Sequence, residues 1–449
     1  MRNPTAKRTK AHELVSQKAS KVVGLSASPI FNNITDAWGL SIAMDMPPLF
    51  KDRKSWFVGK DTRCANMQTV KAFAKLSSRV TDAILDLPPI TDEYVTFDAN
   101  IGPEHVPAYN EALDSARKMK IYMERRGHAT TDDLRKLMAT LQTLQQFVVS
   151  PVLAENGAAK TVEDPDLIEQ ASRSGTGSLI ALKDTICKLN SEGIDNILVA
   201  VCHVSPMKIA QAYLKRESPG VGNIIMYTGS LNLNKRQDAK EAFITGDKVV
   251  MLMSIEAGGT GLHLVDDPCT RPSAVVFWGS RPFSPMQIIQ TKKRVHRIGQ
   301  KFPVRVIHLI ADGSVDASIN FIHGDKLTLA RAVIDNDTEK MEQSGGMWRT
   351  SGRIVDQCKF LTVDGQFATA DMDEADVLQA VAMANEKGKT DDKEEEYEDE
   401  DEDEDEEPYE EGEEGGKEEG EEEGEEQGEA SGLLSQAASM VGPSHLPEL

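Results

Sequence analysis

Between Ser178 and about Asp337, short apolar runs alternate with amphipathic stretches. SLIALKDTICKL (178–189), PMKIAQAYLKRE (206–217), NKRQDAKEAFITG (234–246) and PMQIIQTKKRVHRI (285–298) bring apolar positions round every three or four residues and predict helices. NILVAVC (196–202), NIIMYTG (223–229), KVVMLMS (248–254), SAVVFW (273–278) and VRVIHLI (304–310) are near-continuous apolar runs. They predict strands buried on both faces. Strands alternating with helices in this way give an α/β fold, a parallel sheet covered on both sides. Ligands of such sheets sit beyond the carboxyl ends of the strands, where the loops SIEAGGTG (254–261) and GSRPFSP (279–285) fall.

Upstream, residues 103–154 carry helical periodicity, with Met119, Met123 and Met138 on apolar stripes as core filler. Residues 40–100, marked by proline pairs at 47–48 and 88–89, read as helices and loops, and the polar stretch 155–177 reads as a linker.

Charge changes this picture only at the far end. The formal net charge is −23, but residues 391–430 hold 27 acids against 2 lysines, so the remaining chain is near neutral. Acid at that density cannot bury enough apolar surface to offset the entropy of ordering, and predicts a disordered tail. Its two uses are solubilising the chain and holding basic partners such as histones. Five scattered cysteines form no C-x-x-C pair, which argues against a zinc site or disulfide framework and fits a reducing intracellular compartment. The basic N-terminus has no apolar run behind it to make a secretory signal, and nowhere do 18 apolar residues run together to span a membrane.

Two candidates for chemistry stand out. AGGTG (257–261) follows a strand, as a tight turn or as backbone able to approach a phosphate. In QTKKRVHRIGQ (290–300), Arg294 and Arg297 are spaced to share one helical face, as a solvated basic surface or as an anion site; His296 between them reads as a structural hydrogen-bonder. Their order, strand, glycine turn, strand, arginine-bearing helix, is a compound signal.

At this point the chain resembles the SWI/SNF-type ATPases, the chromatin-remodelling branch of the superfamily-two helicases. GLSASPIFNN (24–33), continued by ITDAWGL, is similar to their motif III, and LDLPPITDEYVTFD (85–98) to their L-P-P-K-x-E segment. PAYNEAL (107–113) and LQTLQQFVVSPVL (141–153) resemble the helices that follow. NILVAVCHVS resembles motif IV, YTGSLNLNKRQ the G-S-T-S-x-x-x-R-Q element, SIEAGGTGLHL motif V and QTKKRVHRIGQ motif VI.

The resemblance covers roughly residues 1–330 and implies a RecA-like helicase C-terminal domain. It divides the chain into the end of a first RecA-like domain (1–45), a mainly helical insertion (46–155), a linker (156–177), the second RecA-like domain (178–337), an extension (338–385) and the acidic tail (386–449). It implies that Arg294 and Arg297 are arginine fingers for the γ-phosphate of ATP, with Gly259, Thr260, Gly261 and Gln290 binding the nucleotide. Ser205, Gly229, Ser230, Arg236, Ser254 and Gly258 would meet the backbone of double-stranded DNA, and Ser26, Ser28 and Pro29 of motif III would couple the two activities. Ser205 also fits a helix N-cap. A nuclear location goes with the family.

Several positions depart from the pattern. Glu256 stands where the family has a base, His263 for Asn, Lys293 for Asp, Phe283 for the Trp of W-N-P and Leu231 for the first Thr of G-S-T-S. The phosphate loop G-x-x-x-x-G-K-[ST] and the magnesium-binding D-E-x-H are missing: MANEKGKT (383–390) lacks the first glycine, and the DEAD at 373–376 falls after motif VI with no apolar strand before it. MRNPTAKRTKA (1–11) resembles the segment directly after the family's D-E-x-H box. ATP and Mg2+ would therefore be bound only with a first, nucleotide-holding half, separately encoded or missing from the gene model. The alternatives are a catalytically inactive helicase-like module whose tail binds histones or other basic proteins, and a strand-separating member of another superfamily-two branch.

Overall fold

The computed structural model describes residues 3–26, 30, 34–58, 65–77, 85–126, 129–156, 163–258, 261–265, 269, 271–334, 339, 352–369 and 372–395. Among them six strands, β1 (Ile90–Phe97), β2 (Asn196–Val201), β3 (Asn223–Tyr227), β4 (Val249–Ser254), β5 (Ser273–Phe277) and β6 (Val304–Ala311), form one sheet in the order β1-β6-β5-β2-β4-β3. Every pairing is parallel. The five strands expected from apolar runs are all present, and β2, β4 and β5 are buried along their whole length.

Alternation of side chains builds two cores. Ile197, Val199, Val250, Leu252, Val276 and Ile307 face helices Gly177–Ser191 and Val204–Glu217. Leu198, Ala200, Met251, Met253, Val275 and Val306 face Phe243 of helix Leu233–Thr245 and Ile288 of helix Pro285–Lys292. Each such side chain larger than alanine contributes about 1.5–3 kcal/mol on burial, which is why a sheet with two apolar faces needs helices on both.

Three expectations are corrected. The stretch 40–100 is not helices and loops alone, because β1 pairs with β6 from Ile90↔Val304 to Phe97↔Ala311. Its acids hide it from an apolar-run reading, yet as an edge strand it needs only partners for them. Glu93 takes a 2.6 Å contact from Arg305 and Asp92 a 2.5 Å contact from Lys292. The linker 156–177 contains helix Pro165–Arg173, started by Asp164 accepting from the Asp166 amide; Leu167, Ile168 and Ala171 pack on the first core. The helix expected over 285–298 stops at Lys292. Val295 and His296 beyond it are buried, and Gly299 at φ +98 turns the chain back.

Residues 103–154 are helical as expected, in Val106–Arg126, Thr131–Val149 and Pro151–Glu155; Met123 and Met138 pack against that core and Met119 is half-buried. The extension docks on them: Ile354, Val355, Leu361, Val377 and Val381 join Tyr109, Leu113, Leu137 and Leu141 in one core. Asn110 makes two hydrogen bonds with Leu361, its Nδ2 donating to the carbonyl (2.9 Å) and its Oδ1 accepting from the amide (2.8 Å). The DEAD stretch is part of this dock. Asp373 accepts from the Ala375 amide at a helix start, and Glu374 pairs with Arg117 at 2.6 Å. Near the N-terminus, Ile34, Trp56 and Phe73 pack with Met286 and Ala330. The acidic run beyond Glu395 lies outside the described residues.

Candidate functional site

The two arginines meet although no helix carries them. After Lys292 the chain closes successive turns, Arg294 N to Thr291 O (3.0 Å), Val295 N to Lys292 O (3.2 Å) and His296 N to Lys292 O (2.9 Å). His296 anchors these turns: Nε2–H donates to the Pro88 carbonyl (2.7 Å), and Nδ1 lies 3.2 Å from Lys293 Nζ. The expectation of a structural histidine holds. Cys269 and Gln300 close the other side, the Cys269 amide donating to Gly299 O (3.2 Å) and the Gln300 amide to Arg297 O (3.0 Å).

From this scaffold Arg294 Nη1 and Arg297 Nη1 both donate to one acceptor, the Leu262 carbonyl, at 3.2 and 3.1 Å. Burial first, and the neighbouring charge of Arg297 second, lower the pKa of Arg294. Two guanidinium groups brought together at the cost of mutual repulsion form a positive site that an anion would relieve. Leu262 closes the glycine turn, so the structure joins the two candidates that the sequence offered separately. Of that turn, Gly261 sits at φ +72 with nothing within 4 Å of an added Cβ, while Gly259 and Thr260 lie outside the described residues. Gly258 has a packing reason to be glycine: an added Cβ would stand 2.1 Å from Met253 Sδ. Gln290 is half-buried on helix Pro285–Lys292.

A second group lines the carboxyl ends of three neighbouring strands, β2, β4 and β3. Ser254 ends β4 and is buried, and Ser205 is buried in the first turn of helix Val204–Glu217. Ser205 is not the N-cap; His203 holds that position with extended backbone (ψ 150). Beyond β3, Gly229 and Ser230 are exposed, Ser230 Oγ lies 2.9 Å from Thr228 Oγ1, and Arg236 Nη2 donates to the Gly229 carbonyl. Arg236 Nε is buried without a hydrogen-bond partner. Ser26 is exposed in a stretch without regular secondary structure, and Ser28 and Pro29 lie outside the described residues.

The sequence reading missed a buried polar network beside this edge. Arg281, 7 % exposed, donates to Asn320 Oδ1 (2.9 Å) and lies 3.3 Å from His308 Nδ1. Asp316 Oδ1 accepts from the Arg281 amide (2.9 Å) and from Gln145 Nε2 (2.5 Å). Burial pushes the Asp316 carboxyl up to about 6 and lowers the pKa of His308. Burial would also raise Asp92, but hydrogen bonds from His308 and Lys292 hold it at about 2. These residues come from four separate stretches, and no local pattern links them. Among the described residues no cluster of His, Cys, Asp or Glu is arranged to hold a metal, and no helix is long and apolar enough to cross a membrane.

Residues 179–299 match the helicase conserved C-terminal domain. Human TATA-binding protein-associated factor 172 is 25 % identical over 390 residues, covering 75 % of this chain and 20 % of the relative. The human SWI/SNF-related matrix-associated actin-dependent regulator of chromatin subfamily A member 1 is 25 % identical over 371 residues, covering 78 % and 31 %. The chain thus spans less than a third of the length of these relatives. A solved Sulfolobus solfataricus SWI2/SNF2 ATPase core in complex with dsDNA is 21 % identical with a TM-score of 0.40, covering 78 % of this chain and 71 % of that one. The sheet and its parallel order agree with the matched domain: residues 179–299 form a helicase conserved C-terminal domain, in a chain that is similar to the SWI/SNF-type superfamily-two ATPases.

Proposed function

We propose that the chain supplies the arginine-bearing half of an ATP-dependent double-stranded-DNA translocase that remodels chromatin in the nucleus. The observation that carries this reading is the convergence of Arg294 and Arg297 on the Leu262 carbonyl at the mouth of the glycine turn. Hydrolysis of ATP develops charge on the transferred phosphoryl oxygens, and planar guanidinium groups that stay protonated stabilise it. Gly261, whose Cα side is open, lets backbone come close to a phosphate; Gly259, Thr260 and Gln290 are also assigned to the nucleotide. Ser205, Ser254, Gly258, Gly229, Ser230 and Arg236 are the residues we assign to the DNA backbone, and such contacts position a duplex without reading its sequence. Ser26, Ser28 and Pro29 are assigned the coupling of the two activities.

The 449 residues contain no phosphate loop, so the reading requires a nucleotide-holding half beyond them, and Mg2+ is assigned to that half. DNA-stimulated ATP hydrolysis is expected only when that half is present. Arg297→Ala is expected to lower it by ~10³-fold or more, the usual worth of an arginine finger. Robust hydrolysis by the Ala variant in the completed enzyme refutes the assignment.

A second reading is favoured by the same missing loop together with the 27 acids of residues 391–430: a binding module that holds histones or other basic proteins. Deleting 391–430 then abolishes histone binding measured by anisotropy; unchanged affinity removes this reading.

A further inference from the structure

A cavity of about 310 Å3 opens where β2, β4 and β5 give way to their loops, apart from the arginine turn. His203 follows β2, Glu256 follows β4 and Phe283 follows β5; Gln287 comes from the next helix and Gln142 and Gln145 from helix Thr131–Val149. Two of these, Glu256 and Phe283, are departures from the family pattern that lie 27 residues apart and share one cavity in the fold.

The polar groups of the wall divide into committed and available ones. Gln145 Nε2 is held by Arg281 O (2.9 Å) and Asp316 Oδ1 (2.5 Å), and the two Arg281 Nη atoms meet His308 and Asn320 while its Nε is buried without a hydrogen-bond partner. Burial lowers the pKa of His203, which keeps its imidazole neutral at neutral pH. Glu256 is exposed and accepts no hydrogen bond among the described residues. The cavity therefore offers one available carboxylate, neutral amides and an aromatic ring.

That chemistry selects its ligand. A phosphate would be repelled by Glu256, and a cation is opposed by the buried charge of Arg281 in the same wall. A flat neutral ligand with N–H donors suits both the carboxylate and the ring. Among the DNA bases only guanine presents two adjacent donors, N1–H and N2–H, on its Watson–Crick edge, matching the two oxygens of one carboxylate. Unstacked bases are read in this way, by hydrogen bonds to that edge and by stacking on aromatic side chains. At about 310 Å3 the cavity is within the range of small-ligand sites.

We propose that this cavity receives a single unstacked guanine from a nucleic-acid strand lying along the carboxyl edge of the sheet, with Glu256 accepting from N1–H and N2–H and Phe283 stacking on the ring. It rests on the nucleic-acid reading above and adds base selection to a surface otherwise assigned to the DNA backbone.

The test uses the full chain and labelled duplexes carrying one bulged dG, one bulged dT or no bulge, with affinity read by anisotropy. The dG bulge is expected to bind about tenfold more tightly than the dT bulge, the usual discrimination of one bidentate contact. E256Q removes the preference without weakening the paired duplex, and F283A weakens both bulges. Equal affinity for dG and dT bulges, or a preference that survives E256Q, overturns the proposal. So does a lysine-rich peptide whose binding depends on Glu256 while no base preference appears. If no duplex binds, the nucleic-acid reading fails, and guanosine against thymidine by saturation-transfer NMR decides the cavity alone. Saturation transfer to guanosine that disappears in E256Q upholds the site, and no transfer to guanosine from the unaltered protein overturns it.

Discussion

Asp316 offers a direct measurement of what burial costs at the heart of this domain. Its carboxyl is 5 % exposed, accepts from the Arg281 amide and Gln145, and is pushed up to about 6 by burial. The unfolded chain releases this proton near the ordinary value of 3.8. Between those values the folded state binds more protons than the unfolded one, so stability falls as pH rises. The gap corresponds to roughly 3 kcal/mol at 1.36 kcal/mol per unit, present as a penalty above about pH 6 and absent below about pH 4. Asp316→Asn keeps an acceptor for both donors and removes the ionisation. Urea unfolding followed by tryptophan fluorescence, repeated from about pH 4 to about pH 7, gives the stability difference between the two proteins. That difference should move in favour of the Asn variant by roughly 3 kcal/mol across the range, the other carboxylates cancelling. A difference that stays constant refutes the assignment of a buried, proton-binding Asp316.

Other consequences follow from single contacts. Gly258→Ala drives a methyl into the buried Met253 side chain and should cost about 1–3 kcal/mol by denaturant unfolding, since Met253 can give way only in part. Asn110→Ala leaves the amide and carbonyl of Leu361 buried and unpaired, a loss of about 2–4 kcal/mol. Limited proteolysis should then release the extension after residue 352 before the sheet domain is cut. His296→Phe fills the same space but loses the donor to Pro88 O (2.7 Å); hydrogen exchange should rise across 293–300 while β5 and β6 stay protected.

Much of the domain was legible in the chain because its signals are local. Five strands are apolar runs of β-branched and aliphatic residues, and four of the predicted helices carry their own periodicity, so each declares itself without knowing its neighbours. The edge strand β1 did not, because an edge tolerates Asp92 and Glu93 once Lys292, His308 and Arg305 stand beside them, and those partners lie some 200 residues away. The helix Pro165–Arg173 was lost among breakers for a similar reason, its apolar face being defined only by the core it meets.

The candidate site shows the same division. Residue types and their order pointed to the glycine turn and to Arg294 and Arg297 as an anion site, and spacing suggested a helical face to hold them. Tertiary structure replaced that helix with a turn fixed by His296, Pro88 and Gly299, and still brought both guanidinium groups to Leu262. It alone gathered Glu256, Phe283 and His203 into one cavity and buried Asp316 against Arg281. Sequence by itself determined which segments must hide apolar surface, a property each segment carries alone; which polar groups meet depended on how the strands are ordered, because an encounter across the sheet leaves no trace in local periodicity.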